Sequence, residues 1–263
     1  MTHSTFHNHR EEFALQGLTI LRELIPPSLL LELRAESDKA REIVREQQGG
    51  QAQRLQPVYA YEALNPRPFR DFLNLSAFHA AREQIIGAEY ELSNSMGVLF
   101  EPAEKAWCTN WHRDWAHHLP HPDWELFFKT ARTKGGFNQF NAALYDDRSL
   151  WVVPGSHVRE DTPEEVAAMG AIPASPPELS DDLSPDVREA TVLGYALSMP
   201  GATQVVLEAG DVAFYCAATW HIGCYTPTNP RATLHDNFAV PTDRIWREAV
   251  PRMRTAMAEK ASC

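Results

Sequence analysis

No apolar run in the 263 residues approaches the roughly 18 needed to cross a bilayer, so a membrane-spanning protein is excluded as a reading. Cysteine is scarce: Cys108, Cys216, Cys224 and Cys263 show no CxxC spacing. That pattern offers neither a disulfide framework nor a structural zinc site, and the four read as free thiols in a reducing compartment. Positive charge is also short, with 24 Lys and Arg against 35 Asp and Glu, a net charge of -11 and a pI near 5.4. Such a surface repels a phosphate backbone, so no nucleic-acid partner is expected, although a local basic pocket for an anionic small molecule stays open. The opening MTHSTFHNHREEF lacks the basic head and apolar stretch of a secretory signal, so a cytoplasmic protein is expected. No repeat recurs along the chain, which removes solenoids and propellers.

What remains is a length suited to one domain over residues 1–263, of the size of an all-β barrel or sandwich with added helices. Gly17 to Arg22 is a short β-branched run. Pro26-Pro27-Ser28 then starts a helix with apolar positions Leu29, Leu30, Leu33, Ala40 and Val44, ending near Gln48-Gly49-Gly50. A second helix is predicted from Ser76, as N-cap, to Gly87. After Gly87 short strands follow: Tyr90 to Phe100, Phe137 to Tyr145, Leu150 to Val153, Thr203 to Leu207, Val212 to Ala217 and Ala232 to Val240. Helices first and strands after predict helices packed outside a β-barrel or two-sheet jelly roll. Residues 158–200 interrupt this pattern with Pro, Ser, Asp and Glu and two helical patches, Pro163 to Met169 and Pro185 to Ser198. The segment reads either as a lid over an active site or as a solvated insertion.

The chemistry centres on Trp111-His112-Arg113-Asp114. Residues two apart on a strand share a face, so His112 and Asp114 can meet one metal ion. With 11 His in the chain about 0.5 His-x-Asp pairs arise by chance, and a second one, His121-Pro122-Asp123, lies in the Pro-rich LPHPDW loop and reads as a decoy. The C-terminal half strengthens the first pair. A strand after Gly210-Asp211, VAFYCAATWH, delivers His221, and the turn Thr226 to Pro230 leads to Arg231, so a hairpin would bring Arg231 near whatever His221 binds. His112, Asp114 and His221 would form a two-histidine, one-carboxylate set with open positions, which suits Fe(II) and O2 chemistry better than a closed structural zinc site. The planar fork of Arg231 suits a carboxylate, and beside such a metal the natural dicarboxylate is 2-oxoglutarate.

These features together resemble the phytanoyl-CoA dioxygenase-like branch of the iron and 2-oxoglutarate dependent oxygenases. The matching stretches are FALQGLTILRELIPPSLLLELR, WHRDW, LWVVPGSH, AGDVAFYCAATWHIG and NPRATL, across roughly residues 13 to 240. The resemblance implies a mainly β, double-stranded β-helix (jelly-roll or cupin-like barrel) with N-terminal buttressing helices and a helical insertion. It implies metal ligation by His112, Asp114 and His221, and Arg231 as cosubstrate anchor. It also implies oxidation of a small molecule with release of succinate and CO2. Asp114 stands where halide-transferring relatives have Ala or Gly, so hydroxylation or another hydrogen-abstracting outcome is implied.

Asn141 occupies a position where the family often carries Trp. It reads either as a hydrogen-bond partner of the 2-oxoglutarate carboxylate or as a solvent-facing strand residue. His157 takes a turn role by the same resemblance. Trp111, Trp115, His117, His118, His121 and Trp124 either line the mouth or, for the tryptophans, fill the core. His3, His7 and His9 read as a mobile tail. The rival reading is a non-oxidative jelly-roll protein, a cupin-like metal-dependent isomerase or a dicarboxylate binder.

Overall fold

The computed structural model describes residues 3–92, 94–114, 123–171, 177 and 179–240, without the side chains of residues 3–5 and 169–171. Helix α1 (His3–Gln16) buries Phe6 and Phe13, two turns apart on one face. The expected mobile tail is therefore corrected: His7 pairs with Glu11 at 3.1 Å, and His9 Nδ1 meets the Thr19 hydroxyl at 2.8 Å. Strand β1 (Leu18–Leu21) and helix α2 (Pro27–Gln48) follow, and α2 has Pro in its first turn and buries Leu29, Leu33, Ala40 and Val44 as the spacing predicts.

Next come β2 (Arg54–Leu55), α3 (Arg67–Leu73), α4 (Ser76–Ala81), β3 (Glu91–Leu92), β4 (Gly97–Phe100) and β5 (Trp107–Cys108). The chain continues through α5 (Trp124–Ala131), β6 (Asn138–Ala143), β7 (Leu150–Val152), α6 (Pro163–Ala171) and α7 (Pro185–Leu197). It closes with β8 (Thr203–Gln204), β9 (Val212–Cys216), β10 (His221–Tyr225), β11 (Ala232–Asp236) and β12 (Phe238–Ala239). More residues lie in helices than in strands, so "mainly β" understates the helical share. Ser76 is the first helical residue after Leu75, not a cap, and α4 runs on as a π turn to Ile86. Helix α5 carries no expectation from the sequence. Its N-cap is Asp123, whose carboxylate accepts from Leu126 N, which accounts for the acid of the second His-x-Asp pair.

The strands form a six-stranded antiparallel sheet, β1-β9-β6-β11-β4-β2, a four-stranded one, β5-β10-β7-β8, and a separate β12-β3 pair. Among the described residues this is a jelly-roll-like arrangement of two sheets, without a closed barrel. Alternation sorts the large sheet into two faces. Outward residues Val98, Phe100, Phe140, Ala142, Val212, Phe214 and Leu234 join the helices in one core, with Phe78 packed edge-on to Phe140 and Phe214. Between the sheets, Ala143, Ala213 and Tyr215 of the large one pack with Leu150 and Val152 of the small one. Behind the small sheet, α7 supplies Val192 and Ala196 to a cluster with Trp111, Trp151, Trp220 and Met199. Among the described residues no helix is long and apolar enough to cross a membrane.

Three predicted strands turn out to be pairs, the first being Tyr90 to Phe100, which splits into β3, paired with β12, and β4 in the large sheet. Val212 to His221 is β9 in the large sheet, a tight corner in which Thr219 N donates to Cys216 O, and then β10 in the small sheet. Ala232 to Val240 breaks at Asn237. The corner matters functionally, since β10 and β11 lie in different sheets and His221 and Arg231 do not end one hairpin. His221 stands in the small sheet and Arg231 directly before β11 of the large one.

Candidate metal centre and its pocket

β5 leads into His112, which bridges His221 directly: each amide donates to the other's carbonyl at 3.0 Å. Cys108 pairs with Cys224 while His112 pairs with His221, so four residues on one strand oppose three on the other. This one-residue bulge at Asn110-Trp111 re-aims the chain at the site. Asp114 is set by its own amide, which donates to Ala217 O at 2.9 Å. The donor atoms of His112, Asp114 and His221 then all lie within 4.8 Å of one another. His112 Nε2 is 3.5 Å and His221 Nε2 3.9 Å from the Asp114 carboxylate.

Both rings are oriented from behind. His112 Nδ1 donates to Asn110 O at 2.7 Å and His221 Nδ1 to Thr219 O at 2.8 Å. A carbonyl only accepts, so each neutral ring carries its proton on Nδ1 and presents Nε2 to the centre. Gln139 Nε2 donates to Asp114 Oδ2 at 2.7 Å and fixes the carboxylate. Burial opposes charge on His112, but Asp114 outweighs it and raises the His112 pKa, so the pocket favours positive charge. Two imidazole nitrogens and one carboxylate, all oriented by other groups, fit a divalent first-row metal with open positions.

Arg113, between the ligating positions, points the other way. It is fully buried, donates to Ser156 O, Ala218 O and Asp161, and lies over the Trp220 ring. It thereby ties the loop that carries His112 and Asp114 to the PGSH turn and to the 158–200 segment. His157 belongs to that turn, with Nε2 3.3 Å from Ala14 O, and is not among the three converging donors.

Three rows of inward residues cross the large sheet. The first is Leu18-Tyr215-Gln139, the second Ile20-Ala213-Asn141-His235-Gly97, and the third Ala143-Thr233-Leu99-Arg54. The first and third rows are four residues apart, roughly 13 Å along the strands. The first touches the metal centre through Gln139, and the ring of Tyr215 is 6.0 Å from that of His221. The third meets Arg231, since Thr233 Oγ1 donates to Asp147 Oδ2 and Arg231 Nε donates to the same oxygen at 2.9 Å. Burial works against both charges, yet their attraction prevails, lowering the Asp147 pKa and raising that of Arg231. The Arg231 guanidinium also lies over the Tyr225 ring.

Asn141 is buried on this inner face with its Oδ1 2.9 Å from His235 Nδ1, so it does not face solvent. Burial first, and the positive charge of Arg54 second, push the His235 pKa down to about 3, leaving a neutral imidazole. Gln139, His235 and Arg54 on this inner face, and Asp147 beside Arg231, are residues that the sequence reading missed. Gln139 shares a face with Asn141, and His235 with Arg231, at period two, which is the signal that marks them. Trp111 is 6% exposed and packs behind the small sheet, a core role, while Trp124 is exposed on α5 and stacks on Phe128. Trp115, His117, His118 and His121 lie outside the described residues.

No protein-family model matches the sequence and no curated protein matches it, so the resemblance above rests on its motifs. Solved structures do match in fold. EctD from S. alaskensis, crystallised with 2-oxoglutarate and 5-hydroxyectoine, has a TM-score of 0.60 at 16% identity, covering 93% of this chain and 78% of its own. HygX from Streptomyces hygroscopicus, with nickel and 2-oxoglutarate bound, has 0.58 at 12% identity, covering 92% and 88%. The non-heme alpha-ketoglutarate dependent epimerase SnoN of nogalamycin biosynthesis has 0.56 at 17%, covering 89% and 80%. This chain shares their fold.

Proposed function

We propose that this protein is an Fe(II)- and 2-oxoglutarate-dependent oxygenase acting on a small molecule. The observation that carries the reading is the convergence of His112 Nε2, His221 Nε2 and the Asp114 carboxylate, each oriented by a separate hydrogen bond. Fe(II) bound there would supply O2 activation coupled to oxidative decarboxylation of 2-oxoglutarate to succinate and CO2. The chain's own residues hold and orient. Gln139 keeps the Asp114 carboxylate turned inward, and the Asn110 and Thr219 carbonyls keep both imidazoles from rotating. Arg231, steadied through its Nε by Asp147 and with Thr233 donating to the same oxygen, would offer its remaining donors to the far carboxylate of the cosubstrate. Asn141 and His235 lie in the row between and offer uncharged polar contacts to the cosubstrate chain. Arg54, exposed on the inner face at the sheet edge, adds a second positive charge to the pocket. A bound divalent metal would add its charge to those of Arg231 and Arg54, giving an acidic protein a local cationic pocket for a dicarboxylate.

The test is anaerobic addition of Fe(II) and 2-oxoglutarate to the full-length protein. A visible metal-to-ligand charge-transfer band is expected, together with succinate release on admitting O2. Metal-loaded protein without the band overturns the reading, as does Asp114→Ala releasing succinate at the unaltered rate. A band with no succinate, across a panel of small molecules, assigns the protein to the non-oxidative dicarboxylate binders.

A further inference from the structure

Two of the thiols meet. In the β5–β10 pairing Cys108 stands directly opposite Cys224, and Thr109 N donates to Gly223 O at 2.9 Å just inside them. That pattern makes Cys108 and Cys224 a non-hydrogen-bonded antiparallel pair, the kind with Cα atoms about 4.5 Å apart. A disulfide spans roughly 4.4–6.8 Å between Cα atoms, so the backbone needs little movement to accept one. Both side chains point away from the metal centre and toward α7, since Cys108 packs with Ile222 and Val192 and Cys224 rests against the same cluster. The two thiols are hydrogen-bonded to each other and titrate as one pair, as expected when two sulfurs share a proton.

Access is asymmetric. Cys108 is buried, whereas Cys224 is partly exposed and lines a cavity of about 670 Å³ with Trp151, Val192 and Tyr225. The third described cysteine, Cys216, is fully buried on β9 with its thiol donating to Gly136 O. The four-cysteine spacing hides this pairing, because the two thiols are more than a hundred positions apart in sequence.

We propose that Cys108 and Cys224 are a reversible disulfide site that fastens the edge strand β5 to β10. The oxidant class is a small peroxide. The Cys224 sulfur attacks one peroxide oxygen, the O–O bond breaks, and water leaves with the thiol proton, giving a sulfenic acid. The Cys108 sulfur then attacks the Cys224 sulfur, the S–O bond breaks, and a second water carries away the other thiol proton. Two thiols lose two electrons and two protons, hydrogen peroxide becomes two waters, and a small dithiol reverses the bond by exchange. Four residues beyond Cys108 lies His112 and three before Cys224 lies His221. The bond therefore clamps together the two strands that carry the facing histidines, without touching either one.

The test uses the reduced full-length protein, treated with a small excess of hydrogen peroxide under anaerobic conditions, then denatured and alkylated. Titratable thiols should fall from four to two, and a non-reducing digest should yield the Cys108–Cys224 linked peptide, lost again on adding dithiothreitol. The oxidised form should melt several degrees above the reduced form, a rise that Cys108→Ala and Cys224→Ala abolish and Cys216→Ala preserves. Four thiols remaining after oxidation, or a linked peptide containing Cys216 or Cys263, overturns the site. An unchanged melting midpoint in the cross-linked protein overturns the fastening role. The wild-type peptide map stands whether or not the variants fold.

Discussion

His112 and His221 face each other across a two-bond backbone bridge, with ring centroids 4.2 Å apart. Main-chain pairing therefore sets the spacing of the two imidazoles, and the third donor is placed by its amide bond to Ala217 O and turned by a side-chain contact. Asp114 is held at Oδ2 by Gln139. Gln139→Leu removes that donor while keeping the volume, and it should weaken binding of Fe(II), Co(II) or Ni(II) by roughly 10- to 100-fold. The secondary structure should stay unchanged. Metal titration by fluorescence or calorimetry reads the effect, and wild-type affinity in the variant would remove Gln139 from the site.

Arg231 and Asp147 form a buried pair, so removing one partner strands the other. Arg231→Ala leaves the carboxylate 4% exposed and uncompensated, and should cost roughly 3–5 kcal/mol in denaturant unfolding. Adding Asp147→Asn should restore part of that loss, because a neutral amide costs far less to bury, its oxygen can still accept from Ser149, and its NH2 can donate to Thr233 Oγ1. Strictly additive losses in the double variant would show that the pair is not coupled. The arginine single variant should also need far more 2-oxoglutarate to develop the charge-transfer band.

Much of this was legible in the chain. Pro27 and the Leu29-Leu33-Ala40-Val44 stripe mark α2, and His112, Asp114 and His221 converge as their spacing and order suggest. The route to that convergence was not legible. A continuous apolar run such as VAFYCAATWH contains no strong turn residue, so the corner after Cys216 that moves the chain between sheets leaves no local signal. The partners of Arg231 were hidden for a related reason. Asp147 comes from the β6–β7 connection, 84 positions away, and only sheet pairing reveals it. The single charged residue of β2, Arg54, faces inward because Leu55 is committed to the helical core, a choice that a two-residue strand cannot announce.

Acid should destabilise the fold through buried neutral histidines. Burial, opposed by the bond to Ala14 O, pushes the His157 pKa from 6.5 down to about 4. Above pH 6.5 neither state protonates it and its contribution is complete. As pH falls from 6.5 toward 4, the unfolded chain takes up a proton that the native protein refuses, so stability declines, by up to about 3 kcal/mol for this residue. His235 acts in the same direction, with a window reaching down to about 3. Urea unfolding at pH 7 and pH 4.5 should show a smaller difference in His157→Gln than in the wild-type protein. An equal difference would mean that His157 is not held neutral.

Gly17 connects the N-terminal helix to the metal centre. Its φ of 71° disfavours any residue with a Cβ, and a Cβ placed there would run into Thr219 Oγ1 and come within 2.7 Å of His157 Nδ1. Thr219 is the residue whose carbonyl orients His221, so displacing it should turn the ring. Gly17→Ala is expected to cost roughly 2–4 kcal/mol, from the left-handed backbone and from overpacking, and to weaken metal binding as well. Gly155→Ala separates these effects. Gly155 has φ 76°, but a Cβ there meets only Leu15 O, at 3.3 Å. This second variant should lose roughly 1–2 kcal/mol of stability through backbone strain alone and bind metal like the wild-type protein. Equal loss of metal affinity in both variants would assign the effect to general destabilisation and sever the proposed link from Gly17 through Thr219 to His221.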